Sequence, residues 1–212
     1  MLLIYPKTAY EYRGPGIEDE SFIRGDRPMT KQAVRALIMS GLRICKKDTV
    51  LDIGAGTGAV SVELSMAAGA VYAIERDREG IRLIKENRRK FGAWNLRIIE
   101  GEAPEALSLL PGEPSVSKVF IGGSGGRLTD ILRYLNGCYP KAELCLTAVL
   151  LETLNDSITL LERLGYDTEA DQISVNHFEK TGTRHMLRPE TPVFLIRAIP
   201  KSVSGSLKPL RA

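Results

Sequence analysis

The sequence predicts an α/β protein: an open, mostly parallel sheet with helices on both faces, closed on its C-terminal side by an antiparallel pair of strands. Three observations carry this. From Thr49 to Leu164, short apolar runs alternate with stretches of helical periodicity, the pattern of a parallel sheet whose crossovers are helices. A glycine turn, Gly54-Ala55-Gly56-Thr57-Gly58, joins the first such run to the helix after it. Beyond Leu164 the β-rich runs have no helical stretch between them, so neighbouring strands there are more naturally antiparallel.

The elements follow in order. Val34, Leu37, Ile38 and Leu42 recur at helical spacing between Lys31 and Arg43, with Thr30 placed as an N-cap. Thr49 to Gly54 reads as a buried strand, and Ala59 to Ala68 as an amphipathic helix that Gly69 terminates. The pattern repeats as strand Val71 to Glu75, helix Arg78 to Phe91, strand Leu96 to Glu100, a short helix at Glu105 to Leu109, and strand Lys118 to Ile121. A helix from Leu128 to Leu135, a strand from Glu143 to Val149 and a helix from Glu152 to Leu164 continue the winding. Gln172 to His177 and Val193 to Ala198 are the expected antiparallel pair, separated by a polar segment with Gly182, Pro189 and Pro192. Residues 1–200 are expected to form one domain, and the serine-containing tail 201–212 to be flexible.

With 212 residues, 43% of them hydrophobic and 26% charged, the chain is long enough to bury a sizeable core. A formal charge of +3 is too small to separate a nucleic-acid binder from an enzyme with a polyanionic small substrate. Cys45, Cys138 and Cys145 match neither a metal site nor a disulfide framework; buried free thiols in a reducing compartment are expected, with no metal. There is no long apolar region followed by a small-residue cleavage site, and no run of about 20 apolar residues that a span requires. A cytoplasmic protein without membrane or nucleic-acid partners is therefore expected.

The glycine turn is the strongest chemical signal. At a strand-to-helix junction, glycines let the backbone approach a ligand closely, and ligands of open α/β sheets bind at the carboxyl ends of the strands. Glu75 ends the next strand, 23 residues after Asp52, near the spacing of an acid that grips a ribose diol. An adenosine-containing cofactor is implied. Gly54-x-Gly56-x-x-Ala59 also satisfies the looser dinucleotide fingerprint. Asp52 discriminates, because an acid at the mouth of the turn repels a pyrophosphate and suits the ammonium end of S-adenosylmethionine. Glu102 and Ala103, after the third strand, stand where an adenine pocket would be lined. Gly122-Gly123-Ser124-Gly125-Gly126, after the fourth, reads as a backbone-lined floor for a large planar substrate, or else as a hinge.

These segments together resemble the cobalt-precorrin-6B carbon-15 methyltransferase family, also represented by the C-terminal half of the fused precorrin-6Y methylase. The resemblance lies in Gly16 to Ala36 (GIEDESFIRGDRPMTKQAVRA), Leu51 to Glu63 (LDIGAGTGAVSVE), Tyr72 to Asp77 (YAIERD), GEAP at Gly101 to Pro104, and Val119 to Gly126 (VFIGGSGG). It covers residues 16–150; the last third matches only in its general plan. It implies a Rossmann-like class I methyltransferase with a seven-stranded sheet, and S-adenosylmethionine as donor, leaving S-adenosylhomocysteine. It also implies cobalt-precorrin-6B, a modified tetrapyrrole, as substrate and a homotetramer, on the route to cobalamin. By matching positions, Thr30, Gly54, Ala55, Gly56, Thr57, Gly58, Glu75 and Ala103 would touch the cofactor; Glu102 stands where an aspartate is common.

The reaction implied is an in-line methyl displacement with loss of carbon dioxide from the ring-C acetate. The macrocycle supplies the nucleophile, so no catalytic side chain is assigned. Arg24, Arg27, Lys31 and Arg127 are candidate clamps for the substrate carboxylates, with solvated surface charge as the alternative for each. His177 and His185 could act as acid or base and receive no role. Two other readings stay open: an RNA or protein methyltransferase of the same fold, and a domain that binds an adenosine ligand without chemistry.

Overall fold

The computed structural model describes residues 14–112 and 115–204. The expectations for the first 13 residues and for the tail beyond Ser204 fall outside them.

The centre of the sheet is the strand β1 (Thr49–Ile53), buried at every position. Its flanks are β2 (Ala70–Glu75) and β4 (Lys118–Ile121), both parallel to it. β3 (Leu96–Glu100) adds beyond β2 and β5 (Glu143–Ala148) beyond β4, again parallel. A central parallel strand must be apolar on both faces because helices cover both, and the alternation is visible residue by residue. Val50, Val71, Ala73, Leu96 and Phe120 enter the core on one face. Leu51, Ile53, Tyr72, Ile74, Val119 and Ile121 enter the core on the other.

The first face is covered by α1 (Gln32–Leu42), α2 (Ala59–Ala67) and α3 (Arg78–Phe91), the second by α4 (Leu128–Cys138) and α5 (Leu151–Arg163). In α3 the sequence states both ends. Asp77 is the N-cap and its carboxylate accepts from Gly80 N at 3.0 Å, while Gly92 closes the helix at φ 63°. In α1 the start differs from expectation. The helix begins at Gln32 with Lys31 at the cap and no side-chain cap hydrogen bond; Thr30 lies one residue before the cap, and its carbonyl accepts from the Arg35 guanidinium. Gly69 does not terminate α2 either; that helix ends on the extended Ala68.

The C-terminal third needs the largest correction. The sheet runs β3-β2-β1-β4-β5-β9-β6, in which β6 is Tyr166–Ile173 and β9 is Val193–Pro200. β9 is antiparallel to both neighbours, so it is inserted between β5 and β6. An antiparallel pair was expected and is present, but its first member lies six residues earlier than Gln172 to His177. β6 carries Asp167, Glu169 and Asp171 at an edge with one open face, so it lacks the apolar run that marks a buried strand. The polar segment between them is a hairpin of β7 (Asn176–Thr181) and β8 (Arg184–Pro189), exposed along its whole length. At the end of β9 the chain forms one helical turn, α6 (Lys201–Ser204), where a flexible tail was expected.

Cys145 on β5 is a buried thiol, which burial pushes up to about 12. Cys45 and Cys138 are exposed, against expectation. No helix among the described residues is long and apolar enough to cross a membrane.

Candidate active site

The strand order reverses at β1, whose two neighbours lead away in opposite directions. Crossovers diverge there and open a crevice at the carboxyl ends of the strands. The glycine turn lies in this crevice. Gly54 N and Ala55 N both donate to Ile74 O, at 3.0 and 3.1 Å, which folds the turn back against β2. Gly54 has φ 71° and runs against the loop after β4: a Cβ there would lie 2.3 Å from Gly123 O. Only glycine permits two loops to meet so closely with that backbone.

Glu75, at the end of β2, braces the turn from the other side. Its Oε2 accepts from Gly56 N at 2.8 Å, and its Oε1 accepts from Arg76 N at 2.9 Å and Asp77 N at 2.8 Å. A carboxylate has about four acceptor positions, so one on Oε2 remains for a ligand. Asp52 is fully buried under the turn. Ser61 Oγ donates to Oδ2, while Oδ1 has no hydrogen-bond partner. Burial raises this carboxyl to about 7; the Ser61 hydrogen bond opposes the shift and neighbouring Glu75 adds to it. A buried acceptor without a donor is costly, and here it lines a cavity.

Two cavities meet at Pro28, Gly54 and Gly56. The smaller, about 290 Å³, is lined by Glu75, Glu102, Ala103, Arg27 and the loop residues Gly123, Ser124 and Gly125. The larger, about 710 Å³, is lined by Asp52, Thr30, Lys31, Ala55, Thr57 and Gly122 among others. The residues singled out in the sequence thus converge, with four exceptions. Gly58 and Gly126 line neither cavity; Gly58 instead starts α2, its Cβ position 3.0 Å from Ile84. Arg24 is exposed and lines neither. Arg127 pairs with Glu105, and with Asp130 at 3.6 Å, outside both cavities. Arg27 is tied to Asp77, and Glu102 to Arg76.

Several lining residues were not legible in the sequence. Phe120 and Thr147 line the larger cavity from β4 and β5, and Ile173, Val175, Pro189, Glu190 and Thr191 line it from the C-terminal third. They reach the rim because β9 returns antiparallel beside β5, so its first residues stand next to the carboxyl end of that strand. Nothing in the local sequence states that pairing.

Also unread was the buried anchor of the segment Gly16 to Lys31, which forms the outer wall. Arg35 is fully buried; Nε donates to Glu63 Oε1 at 2.7 Å and Nη1 to Asp19 Oδ1 at 2.7 Å, and the guanidinium also reaches the Ile17 and Thr30 carbonyls. Glu63 in turn accepts from Gly16 N at 2.8 Å and Ile17 N at 3.1 Å. Buried Asn87 repeats the device, bonding both backbone groups of Ile23 and the Thr57 carbonyl, so the wall is pinned to the glycine turn itself. The available signal was a charged residue on the inward face of each of α1 and α2.

A mostly parallel seven-stranded sheet with an antiparallel C-terminal strand, and a glycine turn followed by an acid at the switch point, define the class I methyltransferase fold. Solved methyltransferases share it, among them a tRNA (m1A58) methyltransferase from Aquifex aeolicus with TM-score 0.64 at 19% identity, a likeness of fold alone. The family described as the precorrin methyltransferase domain matches residues 21–199, and the chain belongs to that family. The cobalt-precorrin-6B C(15)-methyltransferase (decarboxylating) of Salmonella typhimurium is 37% identical over 185 residues, 85% of this chain and 94% of that one. The crystal structure of precorrin-6Y C5,15-methyltransferase from Geobacter metallireducens aligns with TM-score 0.82 at 34% identity, covering 89% of this chain and all of that one. The structure named precorrin 8W decarboxylase from Methanobacterium thermoautotrophicum aligns with TM-score 0.80 at 34% identity, covering 85% and 98%.

Proposed function

We propose that this protein transfers a methyl group from S-adenosylmethionine to carbon 15 of cobalt-precorrin-6B, with loss of carbon dioxide from the ring-C acetate, in cobalamin biosynthesis. The observation that carries this reading is the pair of cavities meeting at Gly54 and Gly56, with an acid in each of two distinct electrostatic settings. Glu75, braced by three backbone donors, keeps one acceptor position for a ribose hydroxyl, and Ala103 and Glu102 flank the adenine. The unpartnered Asp52 Oδ1 fits a buried ammonium, and Thr30 closes the far wall. When bound, the sulfonium supplies an electrophilic methyl group. The protein then has to hold an electron-rich carbon in line with it and exclude water.

The larger cavity receives the edge of the macrocycle that carries carbon 15. Lys31, which lines it, is the carboxylate clamp we assign; Arg27 faces the cofactor lobe, and Arg24 and Arg127 are surface charge. The test is mass spectrometry of cobalt-precorrin-6B after incubation with protein and donor, beside a donor-free control. Gain of one methyl with loss of carbon dioxide supports the reading. An unchanged mass with intact substrate and demonstrable donor binding overturns it.

Asp52 gives this reading a pH signature. In the unfolded chain the carboxyl ionises near 3.8, and in the folded unliganded protein near 7. Between these values the folded state holds a proton that the unfolded state has lost, so unliganded stability falls as pH rises through that window. Donor binding runs the other way, because an ammonium needs the carboxylate. From pH 6 to pH 8 the ionised fraction rises from about a tenth to about nine tenths, while an α-amino group of ordinary pKa, about 7.7–8.0, loses about half its protons, so donor affinity measured by calorimetry is expected to tighten about fivefold. Asp52→Asn is expected to bind weakly at both values and to show no tightening as pH rises. A slope unchanged in that variant would remove Asp52 from the ammonium site.

A homotetramer is proposed as the working assembly. A two-stranded hairpin has little stability alone in water, yet β7 and β8 put Phe178 opposite Leu187 with 75% and 52% of each exposed. Association through this hairpin would cover both. Light scattering is expected to give the mass of four 23.3-kDa chains, and Phe178→Asp with Leu187→Asp a smaller species. A wild-type monomer would exclude the assembly.

A further inference from the structure

We propose that Glu190, backed by His177, carries the proton that the reaction must move from one carbon of the substrate to another. The inference rests on the function proposed above and adds a catalytic group to it.

The chemistry sets the requirement. Methylation that leaves carbon 15 within the conjugated system replaces its hydrogen, so one proton is released there. Loss of carbon dioxide breaks the bond between the acetate methylene and its carboxylate; the electron pair stays with the organic fragment, and the methylene carbon must gain one proton to become a methyl. The two steps together consume no net proton, provided that a group in the site accepts the first and gives up the second.

Few side chains in the larger cavity could do this. The hydroxyls of Thr30, Thr57, Thr147 and Thr191 are too weakly acidic. Asp52 has Oδ2 bonded by Ser61, and its free Oδ1 is the group assigned above to the ammonium of the donor. Lys31 is a cation 3.6 Å from Asp19, suited to holding a substrate carboxylate. Glu190 is the remaining ionisable side chain among the described residues that line this cavity.

Its placement is specific. Glu190 N donates to Val175 O at 2.9 Å, which fixes the connection between β8 and β9 against the end of β6. The carboxylate Oε1 lies 3.1 Å from His177 Nε2. An outer cleft of about 740 Å³ adjoins the cavity, and Lys31, Val175 and Glu190 line both. His177 lines only the outer cleft and is more than half exposed. Glu190 therefore stands in the partition between substrate and solvent, with an imidazole behind it able to exchange protons with water. Asp19, Glu20 and Glu179 face the same outer cleft, Lys31, at the cap of α1, lines both cavities with Glu190, and Asp52 faces the inner cavity from β1.

The test compares wild type with Glu190→Gln and His177→Ala. Tetrapyrrole Kd is read by absorbance titration without donor, and kcat and product masses are read with it. Wild-type turnover establishes the parent reading, and wild-type inactivity overturns that reading together with this one. Given turnover, Glu190→Gln is expected to lower kcat about 100-fold or more, the usual reach of general acid–base catalysis, with Kd and Tm near wild type. His177→Ala is expected to lower kcat about tenfold, and added imidazole to restore part of it through the open outer cleft. A kcat for Glu190→Gln within about threefold of wild type overturns the inference while the parent reading stands. So does a fall that tracks weaker tetrapyrrole binding or a lower Tm, which would give Glu190 a binding or structural role.

Discussion

Gly54→Ala is expected to abolish donor binding and to cost the fold about 3 kcal/mol or more. Two effects add. An alanine held at φ 71° pays about 1–2 kcal/mol for its left-handed backbone. Its Cβ would also stand 2.3 Å from Gly123 O and 2.8 Å from Gly123 N and Cα, all backbone atoms of a loop that cannot rotate aside as a side chain could. The loop after β4 must then move, and with it Gly122 in the larger cavity and Ser124 in the smaller. Gly56→Ala isolates the first effect. It has φ 58° and nothing within 4 Å of its Cβ position, so it is expected to pay the backbone cost alone. For a chain of this size each kcal/mol shifts Tm by roughly 2–4 °C. Scanning calorimetry should place Gly54→Ala well below Gly56→Ala. Equal melting of the two would mean that the Gly123 loop yields freely, and that the contact does not shape the site.

The expectations that held were those in which a residue type and a local conformation are locked together. The glycine turn, the helix Arg78 to Phe91 and the buried strands β1, β2 and β4 each follow from interactions within a few residues, so the local pattern states them. The expectations that failed depend on partners far along the chain. β6 is a strand because β9 pairs with it at eight positions, and its own residues, with three acids in eight, say little. The basic clamp residues could be placed near the mouth from their proximity to motifs, but not aimed. Arg127 turns to Glu105 and Asp130, and Arg24 to solvent. The wall formed by Ile173, Val175 and Glu190 exists only because the last strand returns antiparallel to the edge of the parallel set, a topological fact with no local signature. The proton-carrying group assigned above lies on that wall. The sequence leaves it unmarked for the same reason.

Arg35→Ala is expected to destabilise the protein by about 3–5 kcal/mol, the range for breaking a buried ion pair by removing one partner, with a fall in Tm of roughly 10 °C. Glu63 would keep its two backbone donors, Gly16 N and Ile17 N, but its charge would lie buried without a counter-ion. The Ile17 and Thr30 carbonyls would lose the guanidinium as well. Function should fail faster than stability. Thr30 and Lys31 line the larger cavity from the segment that Arg35 holds, so donor affinity is expected to drop even at temperatures where the protein stays folded. Arg35→Met combined with Glu63→Leu separates the two consequences. Replacing a buried pair by apolar groups of similar size can be neutral for stability, so much of the Tm should return. The backbone groups of Gly16, Ile17 and Thr30 would still lack partners, so the wall would stay loose and donor binding weak. A double variant that regains both Tm and affinity would show that the segment docks without its polar anchor. An Arg35→Ala protein that melts within 3 °C of wild type, an interval worth about 1 kcal/mol at this chain length, would show that the buried charges are not what holds it.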